Sequence, residues 1–148
     1  MSNRPLTIGL PVYNGEPFLG EALDSILGQT YGEFTLIVSD NASTDRSVEI
    51  VQRFADDDDR VVLLRSETNM GAAWNLNHVF EQCQTPYFKW AAADDLLAPT
   101  CIERLIEVLE NSPSSVVAAY PLTQIIDADG KAIRTHHDNL AAPPGAPC

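Results

Sequence analysis

Four times along this chain a short apolar, β-rich run gives way to an apolar stripe at helical spacing. Leu6–Val12 reads as a first strand, bounded by Pro11 and the turn-like Asn14-Gly15. Leu19, Ala22, Leu23 and Ile26 then recur at i, i+3, i+4 and i+7, in a helix closed by Gly28 and Gly32. Phe34–Ser39 is a second strand. A helix started by Ser43 or Thr44, with Asp45 in its first turn, carries Val48, Val51 and Phe54. Val61–Leu64 is a third strand, followed by a helix with Leu76, Val79, Phe80 and Cys83. Tyr87–Ala93 is a fourth. Pro99 then opens a helix with Ile102, Leu105, Ile106 and Leu109 on one face. Val116–Tyr120 reads as a fifth strand, Leu122–Ile126 extends it or pairs nearby, and Asp127-Ala128-Asp129-Gly130 is a hairpin turn.

Strict alternation of strand and helix leaves few packings. Each strand must bury both faces, and parallel neighbours need helical crossovers, so the expected fold is α/β: a doubly wound, mostly parallel, Rossmann-like sheet with helices on both faces. Such sheets bind ligands beyond the carboxyl ends of their strands, near the switch point. Residues 1–126 are read as this domain. Residues 127–148 are read as the hairpin turn and a flexible tail, because Ala141–Pro147 is Pro/Ala/Gly-rich with little to form a core.

The 148 residues suffice for one domain with a core, and no apolar run approaches the roughly 20 residues that span a bilayer. Met1-Ser2-Asn3-Arg4-Pro5 lacks the features of a secretion signal, so a cytoplasmic location is expected, with peripheral association at the inner face of a membrane left open. A net charge of −12 disfavours nucleic acid. It also repels a nucleotide diphosphate, unless a metal, helix N-termini or a few placed cations intervene. Cys83, Cys101 and Cys148 show no metal or disulfide spacing, and Cys83 and Cys101 read as buried apolar groups. Asp56–Asp59 lacks the alternating ligands and central glycine of a calcium loop and reads as a solvated turn. His136-His137 read as exposed.

No GxGxxG, GxxxxGK[ST] or GxSxG pattern is present, which removes the usual dehydrogenase, P-loop and α/β-hydrolase readings. Carboxylates at strand ends remain. Asp94-Asp95 closes the fourth strand, and two adjacent acids there repel one another, so a cation should offset them. A divalent metal is the natural candidate, and a metal at that edge can hold a diphosphate. Asp40, after the second strand, either accepts N–H groups of uracil, thymine or guanine, or caps the next turn with Asn41 and Ser43.

Pro11-Val12-Tyr13-Asn14, Ser39-Asp40-Asn41-Ala42-Ser43-Thr44-Asp45, Asn69-Met70-Gly71 and Ala93-Asp94-Asp95, in this order and spacing, resemble glycosyltransferase family 2 with its GT-A fold. Leu23–Tyr31 is similar to that family's first helix and following turn, and the resemblance covers about residues 6 to 126. It implies a metal-dependent, inverting hexosyltransferase-type enzyme that moves a sugar from a nucleotide-diphosphate donor to a glycan, lipid or protein acceptor. Its setting would be cell-surface polysaccharide or glycan synthesis. Tyr13 would lie against the base, with Pro11, Val12 and Asn14 lining the pocket and Glu16 facing it. Asp40 would read the base edge, Asp94 would bind ribose or sugar hydroxyls, and Asp95 would ligate Mg²⁺ or Mn²⁺. Asn69, Gly71 and Asn77 are weaker candidates for closing the donor site. Two departures stand out: Ser39 and Asn41 flank Asp40 where many members have paired aspartates, and the metal motif has adjacent acids rather than D-x-D. Asp127, Asp129, Asp138 and the histidines lie in no recognisable setting for a catalytic base. The chain is therefore expected to be the donor-binding part of a longer enzyme, without its base. The alternative is a nucleotide-sugar-binding module without catalysis. Oligomeric state is open.

Overall fold

The computed structural model describes residues 4–127 and 130–136. Chain contacts group into two units that divide at Glu103/Arg104. In the first, β1 (Leu6–Val12), α1 (Glu16–Leu27), β2 (Phe34–Asp40), α2 (Ser47–Asp57), β3 (Val61–Arg65), α3 (Ala72–Glu81) and β4 (Tyr87–Trp90) form a four-stranded sheet in the order β3-β2-β1-β4. All three strand pairings are parallel, with Ile8 beside Leu36 and Lys89, and Val12 beside Asp40. The order reverses direction between β1 and β4, which makes the ends of those two strands the switch point.

Alternation of side chains sends Ile8, Leu10 and Val12 to one face, where they are buried with Leu19, Leu23 and Ile26 of α1. α2 packs on α1. α3 takes the other face, and the reason is visible at Gly9. A Cβ there would stand 2.4 Å from Val79 Cγ1 and 2.7 Å from Phe88 Cζ. Only glycine lets α3 approach so closely.

Three local expectations change. β4 stops at Trp90, not Ala93, so the acidic pair sits on a loop rather than at a strand end. Ala91 N–H still donates to Gly9 O at 2.9 Å; beyond it, small alanines with little strand preference pass over the start of α1, where a Cβ on Gly15 would lie 3.2 Å from Ala93 Cβ. α3 buries Asn75 and Val79, while Leu76 and Phe80 are exposed, because the Asn75 amide is needed inside. α2 begins at Ser47, with Arg46 at its cap and no side-chain cap of its own. Ser43 and Ser47 serve the loop after β1 and the start of α1 instead, and Asp45 serves both helices, its Oδ2 accepting Glu16 N–H and its Oδ1 accepting Ser47 N–H at 3.0 Å.

Asp58 pairs with Arg60 and Asp59 with Arg4, in keeping with a turn whose acids are met by cations. Cys83 and Cys101 are free and half-buried rather than fully buried. α4 (Cys101–Glu110) runs across the division between the units. In the second unit Val116–Tyr120 forms no strand. β5 (Thr123–Ile126) pairs antiparallel with β6 (Ala132–His136), irregularly at Ile125/Ile126. Asp127 N–H donates to Lys131 O at 2.9 Å across the turn, where Gly130 takes φ 76°. Ala128 and Asp129, and the tail read over 137–148 with His137, Asp138 and Cys148, lie outside the described residues.

Candidate functional site

β1 and β2 end side by side, and the two loops that follow are bound to each other. Asn14 adopts φ 54° and Ala42 φ 61°, a region that L-residues rarely enter. Asn14 N–H donates to Ser43 Oγ at 2.9 Å, and Asn14 Oδ1 accepts Thr44 N–H at 2.8 Å. Gly15 and Glu16, whose N–H groups open α1, donate to Ser47 Oγ at 2.9 Å and Asp45 Oδ2 at 3.0 Å. Glu16 in turn accepts Arg46 N–H at 3.0 Å and pairs with its guanidinium at 2.6 Å. The start of α1 is thus capped by the residues that open α2, while Ser47 N–H, the first of α2, donates to Asp45 Oδ1 at 3.0 Å; both satisfy N–H groups that helices leave without partners. The Arg46 hydrogen bonds hold the Glu16 carboxyl below its ordinary range. Burial works to raise Asp45, but the Ser47 and Glu16 donors outweigh it and leave that carboxyl lowered.

Asp40 is only 2% exposed. Its Oδ2 accepts Ser43 N–H at 3.1 Å, whereas its Oδ1 is buried without a donor among the described residues. A buried carboxylate oxygen left unpaired costs about 1–3 kcal/mol, so it is a place where a ligand N–H would be favoured. Beside it, Asn41 Oδ1 accepts Met70 N–H at 2.9 Å and Asn41 Nδ2 donates to Asn69 Oδ1 at 2.9 Å. Buried Asn75 accepts from Ser39 Oγ at 2.6 Å and donates to Ser39 O at 3.0 Å, which fixes α3 against β2.

At the switch point lies a cleft of about 610 Å³, lined among others by Pro11, Tyr13, Asn14, Phe18, Asp94 and Asp95. The structure therefore gathers five of the eight expected site residues along one wall-to-wall groove. Val12 is excluded, being core. Glu16 does not line the cleft, because its carboxylate is committed to Arg46. Asp40 does not line it either; it is buried beside Val12 in the sheet. Asn69 and Gly71 are tied to Asn41 outside the cleft, and Asn77 is exposed. Tyr13 and Phe18 present aromatic faces, each about half exposed (50% and 52%). Sequence reasoning missed Phe18 and Lys89; a lone lysine inside the apolar run Tyr87–Trp90 was the available signal for the latter. Lys89 lines the cleft, and its Nζ donates to Trp90 O at 2.9 Å.

Asp94 and Asp95 are exposed, and neither carboxylate has a hydrogen-bond or ion-pair partner among the described residues. No group of three or more His, Cys, Asp or Glu stands ready to hold a metal alone among those residues. This donor set suits a hard cation that takes one or two protein carboxylates and completes its shell with phosphate oxygens and water. Among the described residues no helix is long and apolar enough to cross a membrane.

Comparison with known proteins fits this geometry. An uncharacterized glycosyltransferase of Haemophilus influenzae is 37% identical over 108 residues, 72% of this chain and 43% of the relative. The putative glycosyltransferase EpsE of Bacillus subtilis is 34% identical over 74% of this chain and 40% of its own length. The chain thus spans less than half of these curated relatives. Among solved structures, the mannosyltransferase PcManGT of Pyrobaculum calidifontis, in complex with GDP-Man and Mn²⁺, superposes with TM-score 0.67 at 27% identity, over 74% of this chain and 33% of that one. Staphylococcus aureus TarS, in complex with UDP, shares the fold at TM-score 0.66 and 23% identity, over 71% of this chain and 32% of that one. The sequence profile of glycosyl transferase family 2 matches residues 7–140, a stretch that includes both strand-end loops and the acidic pair, and the chain belongs to that family.

Proposed function

We propose that this chain forms the donor half of an inverting, metal-dependent glycosyltransferase, which moves a sugar from a nucleotide diphosphate to an acceptor hydroxyl. The observation that carries the reading is the pair Asp94-Asp95, two carboxylates without a partner among the described residues, lining the same cleft as Tyr13. The base would lie against Tyr13, with the unpaired Asp40 Oδ1 as acceptor for a base N–H once the loops around it admit the base. Asp94 would bind hydroxyls of ribose or sugar, and Asp95 would hold Mg²⁺ or Mn²⁺. Pro11 and Asn14 would shape the base end. The cation, when bound, offsets the charge that develops on the departing diphosphate. Lys89, in the same cleft, adds a positive charge to a protein that otherwise repels phosphate.

Support comes from the family itself and from PcManGT, whose complex holds GDP-Man with Mn²⁺. TarS is known with UDP-GlcNAc, so uracil and guanine donors both occur among structural neighbours. Attack on the anomeric carbon also needs a base for the acceptor hydroxyl. Among the described residues none that lines the cleft besides the acidic pair suits that role, and the pair is assigned to the donor. The base is therefore proposed to belong to a segment outside this chain, as is the choice of glycan, lipid or protein acceptor. Synthesis of cell-surface polysaccharide or glycan on the cytoplasmic side is the proposed setting.

Calorimetric titration with UDP, GDP, UDP-GlcNAc and GDP-Man, with and without Mn²⁺, tests the reading. Mn²⁺-enhanced binding that Asp95→Asn abolishes supports the donor site, and no enhanced binding to any of the four sinks it. Release of free nucleotide from a sugar donor separates an enzyme from a binding module.

A further inference from the structure

The loop that carries the acidic pair runs from Ala91 to Thr100 without regular structure. It is held at two places. At its start Ala91 N–H donates to Gly9 O. At its far end it is held by groups from the last turn of α1 and the residues just beyond it, beside a local bond from Cys101 N–H to Ala98 O at 2.9 Å. Gln29 is the centre of that anchor and is 7% exposed. Its Nε2 donates to Ala98 O at 2.8 Å and Ser25 O at 3.0 Å, with Leu97 O at 3.4 Å. Its Oε1 accepts Ile102 N–H at 3.0 Å, at the start of α4. Ser25 Oγ accepts Leu97 N–H at 3.1 Å, and Thr30 N–H donates to Pro99 O at 2.9 Å.

The chemistry demands a carboxamide. Carbonyls on one side need a donor and a backbone N–H on the other needs an acceptor, at one planar head group. Glutamate would turn a second acceptor toward the carbonyls; lysine would have nothing to offer Ile102. The opposite end of α1 forms part of the cleft wall, through Gly15, Pro17 and Phe18. One helix therefore holds both the wall of the cleft and the return path of the loop that faces it.

We propose that Gln29 is a positioning residue for the diphosphate end of the donor site. It touches neither donor nor metal, and does not line the cleft. By fixing Leu97, Ala98 and Ile102 it limits the positions that Asp94 and Asp95 can take, so that ordering the loop is not charged against binding. The inference rests on the reading of Asp95 as metal ligand. It predicts a split: the metal-dependent part of nucleotide binding depends on Gln29, while the base end, built on the Asn14, Ser43 and Asp45 bonds, does not.

The test is titration of the chain with UDP and with GDP, each with and without Mn²⁺, for wild type, Gln29→Ala, Gln29→Glu and Ser25→Ala, with thermal melting alongside. Gln29→Ala should reduce the Mn²⁺ enhancement roughly 10-fold, the scale seen when groups supporting a metal ligand are lost, with metal-free affinity unchanged. Gln29→Glu should fare no better. Faster hydrogen exchange at Asp94–Leu97 should accompany the loss. An unchanged enhancement in folded Gln29→Ala overturns the proposal, as does an equal fall in both affinities. Should Gln29→Ala fail to fold, Ser25→Ala removes one loop anchor alone; a smaller split supports the proposal and none overturns it. A wild type indifferent to Mn²⁺ with both nucleotides overturns the donor-site reading and Gln29's role with it.

Discussion

The two walls of the cleft are built in opposite ways. On the β1/β2 side Asn14 lines the cleft, and the loops behind it, with Asp45, Glu16 and Arg46, spend nearly every polar group on one another and hold two non-glycine residues in left-handed backbone. On the β4 side, a loop of ten residues, 91–100, carries two carboxylates with no partner and is secured mainly at its ends. A flat, nearly invariant group such as a nucleobase is well served by a surface fixed in advance, because little ordering remains to be done on binding. A diphosphate and its cation bring strong bonds of their own, and the carboxylates that would meet them stay free of protein partners among the described residues while their loop is anchored by Gln29. The contrast teaches where each kind of damage should appear: in folding stability on one wall, in ligand affinity on the other.

The sharpest break of that contrast is Asp95→Asn. It removes a carboxylate that bonds nothing, so melting temperature should not fall. Mn²⁺-dependent nucleotide binding should fall on the order of 100-fold, since the loss of mere supporting groups already costs 10- to 100-fold. The measurement is paired calorimetry and thermal melting; a large loss of stability without loss of metal-dependent affinity would contradict the assignment. Asn75→Ala is the mirror image. It leaves Ser39 Oγ without its acceptor and removes a second donor from the Ser39 carbonyl, beside a hole where the amide was. Unfolding free energy measured with urea should drop by about 2–3 kcal/mol.

Most of the sheet was legible in the sequence, because buried parallel strands and amphipathic crossovers impose periods that single residues reveal. Leu19, Ala22, Leu23 and Ile26 all proved buried. Where polar groups decide, periodicity misleads. The stripe on α3 pointed to Leu76 and Phe80, yet the helix turns Asn75 inward to meet β2, a choice set by a partner 36 residues away. The same limit governs the site. Tyr13 could be placed at a strand end by pattern alone, whereas the acidic pair, read at the end of the fourth strand, lies on the loop beyond Trp90. That Asp45 would cap the preceding helix as well as its own, that Ser47 would turn to Gly15, and that Glu16 would turn to Arg46, depends on two loops meeting in space. Val116–Tyr120 carries strong strand preference but gains no neighbour to pair with among the described residues, and preference without a partner does not make a strand.

Two smaller changes probe the rigid wall from within. Ala42 sits at φ 61°, where its Cβ is crowded by its own backbone. Ala42→Gly should relieve that strain, offset in part by the greater freedom of the unfolded chain, for a net gain of about 0.5–1 kcal/mol in urea unfolding. A loss instead would show that the methyl group packs usefully in the loop.

Glu16 should give the smallest effect and the one with a direction fixed by pH. Its carboxyl is held below the ordinary 4.5 first by the side-chain hydrogen bond from Arg46 and then by the Arg46 backbone N–H. A carboxyl lowered on folding binds fewer protons in the native than in the unfolded chain, so stability rises as pH climbs through that interval. The contribution is complete above the unfolded value and disappears as pH falls through the folded one. Glu16→Gln should therefore lower the melting temperature slightly at pH 7, and the gap to wild type should close at a pH below the folded value. Salt should narrow the gap at pH 7 as well, since the pair is screened from one side by solvent. A gap of equal size at both pH values would mean that Glu16 supports the two helix starts through its shape and neutral hydrogen bonding, and that the charge of its carboxylate does not hold the loops together.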